Sequence, residues 1–197
     1  MLSEYLIIRT LGDKFRKETY SKVVGETLDY ILKIRPDDSA RRDEYLRSLC
    51  MTTVQSHKRP LYYILNSNIL NNPVKVQPTI DQVLAAASLF GLADLARHCI
   101  DQGARDSSTY FGFPLSIASG KGDLGMALMI LEQGFAERYS KMSAVYSAAS
   151  NGHTAIMQRI FDMNQCPEYA NASDDEKVDG NFMLACLITR QAEANVG

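Results

Sequence analysis

A period of about thirty residues constrains this chain more than any other feature of it. Residues 83–104 (VLAAASLFGLADLARHCIDQGA) and 114–135 (PLSIASGKGDLGMALMILEQGF) align without gaps. The alignment pairs Leu84 with Leu115, Ala87 with Ala118, Gly91 with Gly122 and Gly103 with Gly134. Residues 144–164 (AVYSAASNGHTAIMQRIFDMN) bring Ala148, Gly152 and Ile160 into the same register, and DGNFMLACLITR (179–190) begins the pattern a fourth time. A period of this length marks an architecture in which each unit buries its apolar face against the next.

The pattern within one unit says what the unit is. Pro114 suits the first turn of a helix, and Leu115, Ile117 and Ala118 mark its buried side. Glycine costs about 1 kcal/mol relative to alanine inside a helix, so Gly120-Lys121-Gly122 predicts a turn between two helices. Asp123 is a good N-cap for the second helix. Leu124, Ala127, Leu128, Ile130 and Leu131 follow at helical spacing, and Gly134 ends it. Each unit is therefore predicted to be a pair of antiparallel helices, with Leu115, Ala118, Ile130 and Leu131 in the core.

These units resemble the ankyrin repeat. GFPLSIASGKGDLGMALMILEQGF carries its Pro-Leu, Ala, Gly and terminal Gly positions, AASNGHTAIMQRIF its Ala-Ala-x-x-Gly-His, and IDQGA its ending. The pattern's proline is replaced by Val83, Ala144 and Met183 in the other units. The resemblance implies an all-α fold: an ankyrin-like α-solenoid of stacked helix pairs with short hairpin loops. Its units would span about 79–104, 105–135 and 136–164, with a partial one from 177. It also implies protein binding through hairpin tips and the exposed sides of the first helices. Carried onto this sequence, the tips hold Tyr110, Phe111, Arg138, Tyr139 and Lys141, while Phe90, Lys121 and Asn151 occupy variable places before the repeat's glycine. His153, at the Gly-His position, takes a structural hydrogen-bonding role by the same resemblance.

Residues 1–78 read as a helical extension, or as degenerate repeats, capping the first unit so that its apolar face is not left bare. Val23, Val24, Leu28, Ile31 and Leu32 form a helical stripe that Pro36 ends, and Tyr45, Leu46, Leu49, Cys50 and Val54 form another. SEYLIIRTLGDKF and RPLYYILNSNILNN add further apolar runs, and 71–78 (NNPVKVQP) is a turn-rich joint.

Composition narrows the function. No stretch reaches the roughly 18 apolar residues that span a bilayer. The start makes a poor signal peptide, and four widely spaced cysteines with no CxxC pair fit a reduced, intracellular chain, cytoplasmic or nuclear. Residues 1–79 hold 13 Lys and Arg against 9 Asp and Glu, whereas residues 80–197 hold 8 against 14. The net charge of −2 argues against nucleic acid as the partner, despite the basic and aromatic HKRPLYY. No metal-ligand spacing, phosphate loop or cofactor motif is present, and the acidic stretch 172–180 lacks the alternation of a calcium loop. The expected function is a non-catalytic module that binds a partner protein. The competing expectation is an enzyme with its chemistry in the N-terminal helices, where Cys50 and His57, seven residues apart, could form a thiol–imidazole pair.

Overall fold

The computed structural model describes residues 19–56, 78–134, 136 and 138–163. Eight α-helices and no β-strand are found among them: α1 (Thr19–Ile34), α2 (Arg42–Ser56), α3 (Ile80–Phe90), α4 (Ala93–Asp101), α5 (Pro114–Lys121), α6 (Leu124–Glu132), α7 (Arg138–Ser150) and α8 (Thr154–Met163). A 3-10 helix, Pro36–Arg41, joins α1 to α2, as Pro36 requires. The predicted fourth unit, the apolar runs in 1–18 and 60–70, and His57 lie outside the described residues.

The three repeat glycines act as predicted. Gly91, Gly122 and Gly152 have φ of 67°, 76° and 75°, the left-handed conformation in which a side chain is strained. The amide that follows each one closes the turn on the carbonyl of the aligned alanine. Leu92 donates to Ala87 (2.9 Å), Asp123 to Ala118 (3.0 Å) and His153 to Ala148 (2.9 Å). This bond is the helix-ending Schellman closure and fixes where the glycine falls, while the complete burial of Ala87, Ala118 and Ala148 favours a small residue at the accepting position.

Helices pack in two rows. α3 lies against α5 and α5 against α7, while α4 lies against α6 and α6 against α8. Leu115, Ala118, Ile130 and Leu131 are all buried, as predicted. The turns also touch one another. The Asp123 carboxylate lies beside Gly91, and the His153 ring lies over Gly122 so closely that a methyl group there would sit 2.6 Å from its Cε1. Gly122→Ala is accordingly expected to cost about 1–3 kcal/mol, from left-handed strain plus displacement of the ring. Gly91→Ala, whose nearest neighbour would be 3.8 Å away, should show the strain alone. Urea melts of both variants, and of Gly122→Ala with His153→Ala, measure the difference; the second substitution should recover the ring's share.

The units differ where their prolines differ. Pro114 begins α5 and disfavours helix before it, so residues 104–113 form a loop. Ala144 stands at the aligned place in the next unit and imposes no such stop, and α7 begins six residues earlier, at Arg138. Val83 likewise lets α3 start at Ile80, where Thr79 and Gln82 form a reciprocal capping box.

α1 and α2 pack on one another and both touch α3. The Tyr45 ring stacks on Phe90 with centroids 4.2 Å apart, and the Arg41 guanidinium lies 4.8 Å from the Tyr45 centroid. Arg35 pairs with Asp38 at 2.6 Å and also with Asp94 at the start of α4. The Arg35 hydrogen bond holds the Asp38 carboxyl below its ordinary range.

Candidate functional site

The loop between α4 and α5 is built inward. Thr109 and Gly112 exchange backbone hydrogen bonds, and the Thr109 hydroxyl donates to the Gly112 carbonyl at 2.7 Å. That turn drives Phe111 into the core, where it is 0% exposed. Phe111 is therefore not a binding residue: its ring has no surface to offer a partner. Tyr110 beside it is half-buried.

Asp106 anchors the same loop. It is 1% exposed, accepts the Leu115 amide at 2.9 Å, and accepts the Ser140 hydroxyl of α7. Phe113, at the N-cap position of α5, makes no side-chain cap, and Pro114 has no N–H. Asp106 thus caps α5 from eight residues upstream of the helix start and ties it to the next unit.

The second predicted tip is not a tip. Arg138, Tyr139 and Lys141 occupy the first turn of α7, because only residues 135–137 separate it from Gly134. The Arg138 side chain lies outside the described residues. Tyr139 is 69% exposed and its ring tilts against Phe113, with centroids 5.8 Å apart. Lys141, two residues on, points away from the Tyr139 face. Tyr146 does share that face, two turns along the helix, and is 55% exposed. Sequence comparison alone missed Tyr146. Its spacing from Tyr139 was the available signal, once α7 is seen to run through both.

The first-helix positions divide. Residues Gln82 to Leu89 of α3 are buried without exception, and Phe90 is half-buried under Tyr45, so Phe90 serves packing rather than a partner. Lys121 and Asn151 are exposed at the neighbouring ends of α5 and α7. There Gly120 brings the helices close, with its Cβ position 3.4 Å from Ser147 Cβ. Ser116 hydrogen-bonds the hydroxyls of Ser143 (2.9 Å) and Ser147 (2.8 Å), stitching α5 to α7 beneath this surface.

Cys50 is fully buried, which denies substrate access to the thiol half of the pair considered with His57. Burial, with a smaller contribution from Asp81, pushes the Cys99 thiol up to about 12, so it holds its proton at neutral pH. Among the described residues no three His, Cys, Asp or Glu side chains are placed to hold a metal ion, and no helix is long and apolar enough to cross a membrane. A cleft of about 400 Å³ opens between the start of α3 and the 104–113 loop, lined by Thr79, Asp81, Gln82, Ser107, Ser108, Thr109 and Tyr110. Comparison with known proteins finds no matching family model, no similar curated protein and no similar solved structure.

Proposed function

We propose that this chain is a non-catalytic protein-interaction module: an ankyrin-like α-solenoid, capped by its N-terminal helices, that binds a partner protein across α5 and α7. The observation that carries this is the pair Tyr139 and Tyr146, exposed on one face of α7. Large aromatic side chains of this kind supply much of the binding energy when a partner desolvates them. Lys121 and Asn151 at the adjoining helix ends add polar groups at the edge of that surface. The resemblance of the repeats to ankyrin units supports the class of partner. Because α3 is closed from Val83 to Leu89, the aromatic contact draws on the two later units.

The test compares wild type with the double variant Tyr139→Ala, Tyr146→Ala. Stability should change little, since both rings face solvent. Capture of the partner from native lysate, followed by titration of the purified partner, should show binding weakened about thirtyfold, equivalent to about 2 kcal/mol. Undiminished affinity with an unchanged circular dichroism spectrum would remove the α7 face from the binding surface.

A further inference from the structure

The cleft between α3 and the 104–113 loop has a chemistry of its own. Among the described residues its one charged wall residue is Asp81, accompanied by Thr79, Gln82, Ser107, Ser108, Thr109 and Tyr110. Asp81 is held in position by the 104–113 loop: Oδ1 accepts the Arg105 amide at 2.8 Å and Oδ2 accepts the Ser107 hydroxyl at 2.7 Å. Each carboxylate oxygen accepts more than one hydrogen bond, so two donors fix the group without exhausting it. The N-terminus of α3 contributes roughly half a positive charge, and the carboxylate a full negative one, so the cleft stays negative on balance. Its size falls within the ordinary range for ligand sites, roughly 300–1,000 Å³.

We propose that this cleft receives the guanidinium of an arginine presented by the partner protein, an assignment that rests on the interaction function proposed above. A guanidinium offers five N–H donors in a plane, which suits one carboxylate surrounded by hydroxyl and amide oxygens. Tyr110 supplies an aromatic wall on which that plane stacks. An ammonium matches less of this, being a compact point charge with three donors. An anion would meet Asp81 directly, and an apolar group would strip water from Thr79, Ser108 and Thr109 with nothing in return. The cleft thus forms a second contact, separate from the aromatic face of α7, and gives the partner an arginine requirement.

The test uses the intact chain and needs no knowledge of the partner. N-acetylarginine amide is titrated and followed by amide chemical shifts, beside its neutral isostere N-acetylcitrulline amide. The arginine compound should shift residues 79–82 and 107–110 saturably and bind at least tenfold more tightly than the citrulline one. A pentapeptide with arginine between glycines should bind at least as tightly as the free amide; its exclusion while the free amide binds would overturn a protein-borne ligand. Asp81→Asn should weaken arginine binding at least tenfold. Because Asp81 also supports the loop, Tyr110→Leu is measured too, with a melt of each variant, and should weaken binding severalfold. Equal binding of arginine and citrulline, or shifts that map elsewhere, overturns the proposal in the wild-type protein alone. Such a failure leaves the α7 surface untouched, and loss of the α7 surface would leave arginine binding here intact.

Discussion

Phe111→Ala is expected to destabilise the protein by about 3–5 kcal/mol, the usual cost of emptying a buried phenylalanine site. The ring is wholly enclosed although it sits in a surface loop between two helices. Its removal loses the transfer energy of a fully buried ring and leaves a cavity that the Thr109–Gly112 turn restrains from collapsing. Urea denaturation should show a lower midpoint with an unchanged slope. Tyr139→Ala, a truncation of the same size at a solvent-facing position, should stay within about 0.5 kcal/mol. A loss below about 1 kcal/mol for Phe111→Ala would show that the ring does not bear on the core as described. The comparison separates an aromatic residue that holds the fold from one available to a partner.

Asp106→Ala should be nearly as damaging, at about 2–4 kcal/mol. The Leu115 amide and the Ser140 hydroxyl both depend on this carboxylate, and both lie where water does not replace it. A buried donor left without an acceptor costs about 1–3 kcal/mol, and the two losses overlap because they share one side chain. Asp106→Asn keeps an oxygen for the Leu115 amide and should recover part of the loss. Ser140→Ala removes a single partner and should cost about 1 kcal/mol. Thermal melts of the three variants should rank alanine at 106 as the most damaging. If Asp106→Ala and Ser140→Ala melted together, the capping of α5 would carry no weight.

Phe111 stands at a position that the resemblance to ankyrin repeats marks as a partner-facing tip, and Asp106 lies five residues before it. The pattern is legible because its positions answer to local physics. A left-handed residue after each first helix demands Gly91, Gly122 and Gly152, and the closure onto Ala87, Ala118 and Ala148 fixes their distance. Pro114 marks the start of α5 as plainly, since a ring that fixes φ and lacks an N–H favours one place in a helix. The exposure of the positions expected to bind was legible only in part. Of the eight expected, Tyr139, Lys121 and Asn151 are exposed, Phe111 is core, Phe90 packs under Tyr45, and Lys141 turns from the aromatic face. Exposure depends on what another element lays across a side chain, and a repeat pattern carries no information about that.

The sequence by itself therefore determined that helices α3 to α8 exist, though not where α7 begins, and with them their pairing, their turns and the buried positions Leu115, Ala118, Ile130 and Leu131. Each follows from interactions among residues close along the chain: hydrogen-bond closure, backbone strain and helical periodicity. Tertiary structure alone decided that Phe111 turns inward, that Asp106 caps a helix from a distance, and that α3 is enclosed by α1, α2, α4 and α5. It also decided that His153 roofs Gly122 and that Thr79, Asp81 and Ser107–Tyr110 face one another across a cleft. These rest on contacts that no periodic spacing encodes, some within one loop and others between segments as far apart as Asp106 and Ser140, where geometry in space sets which groups meet.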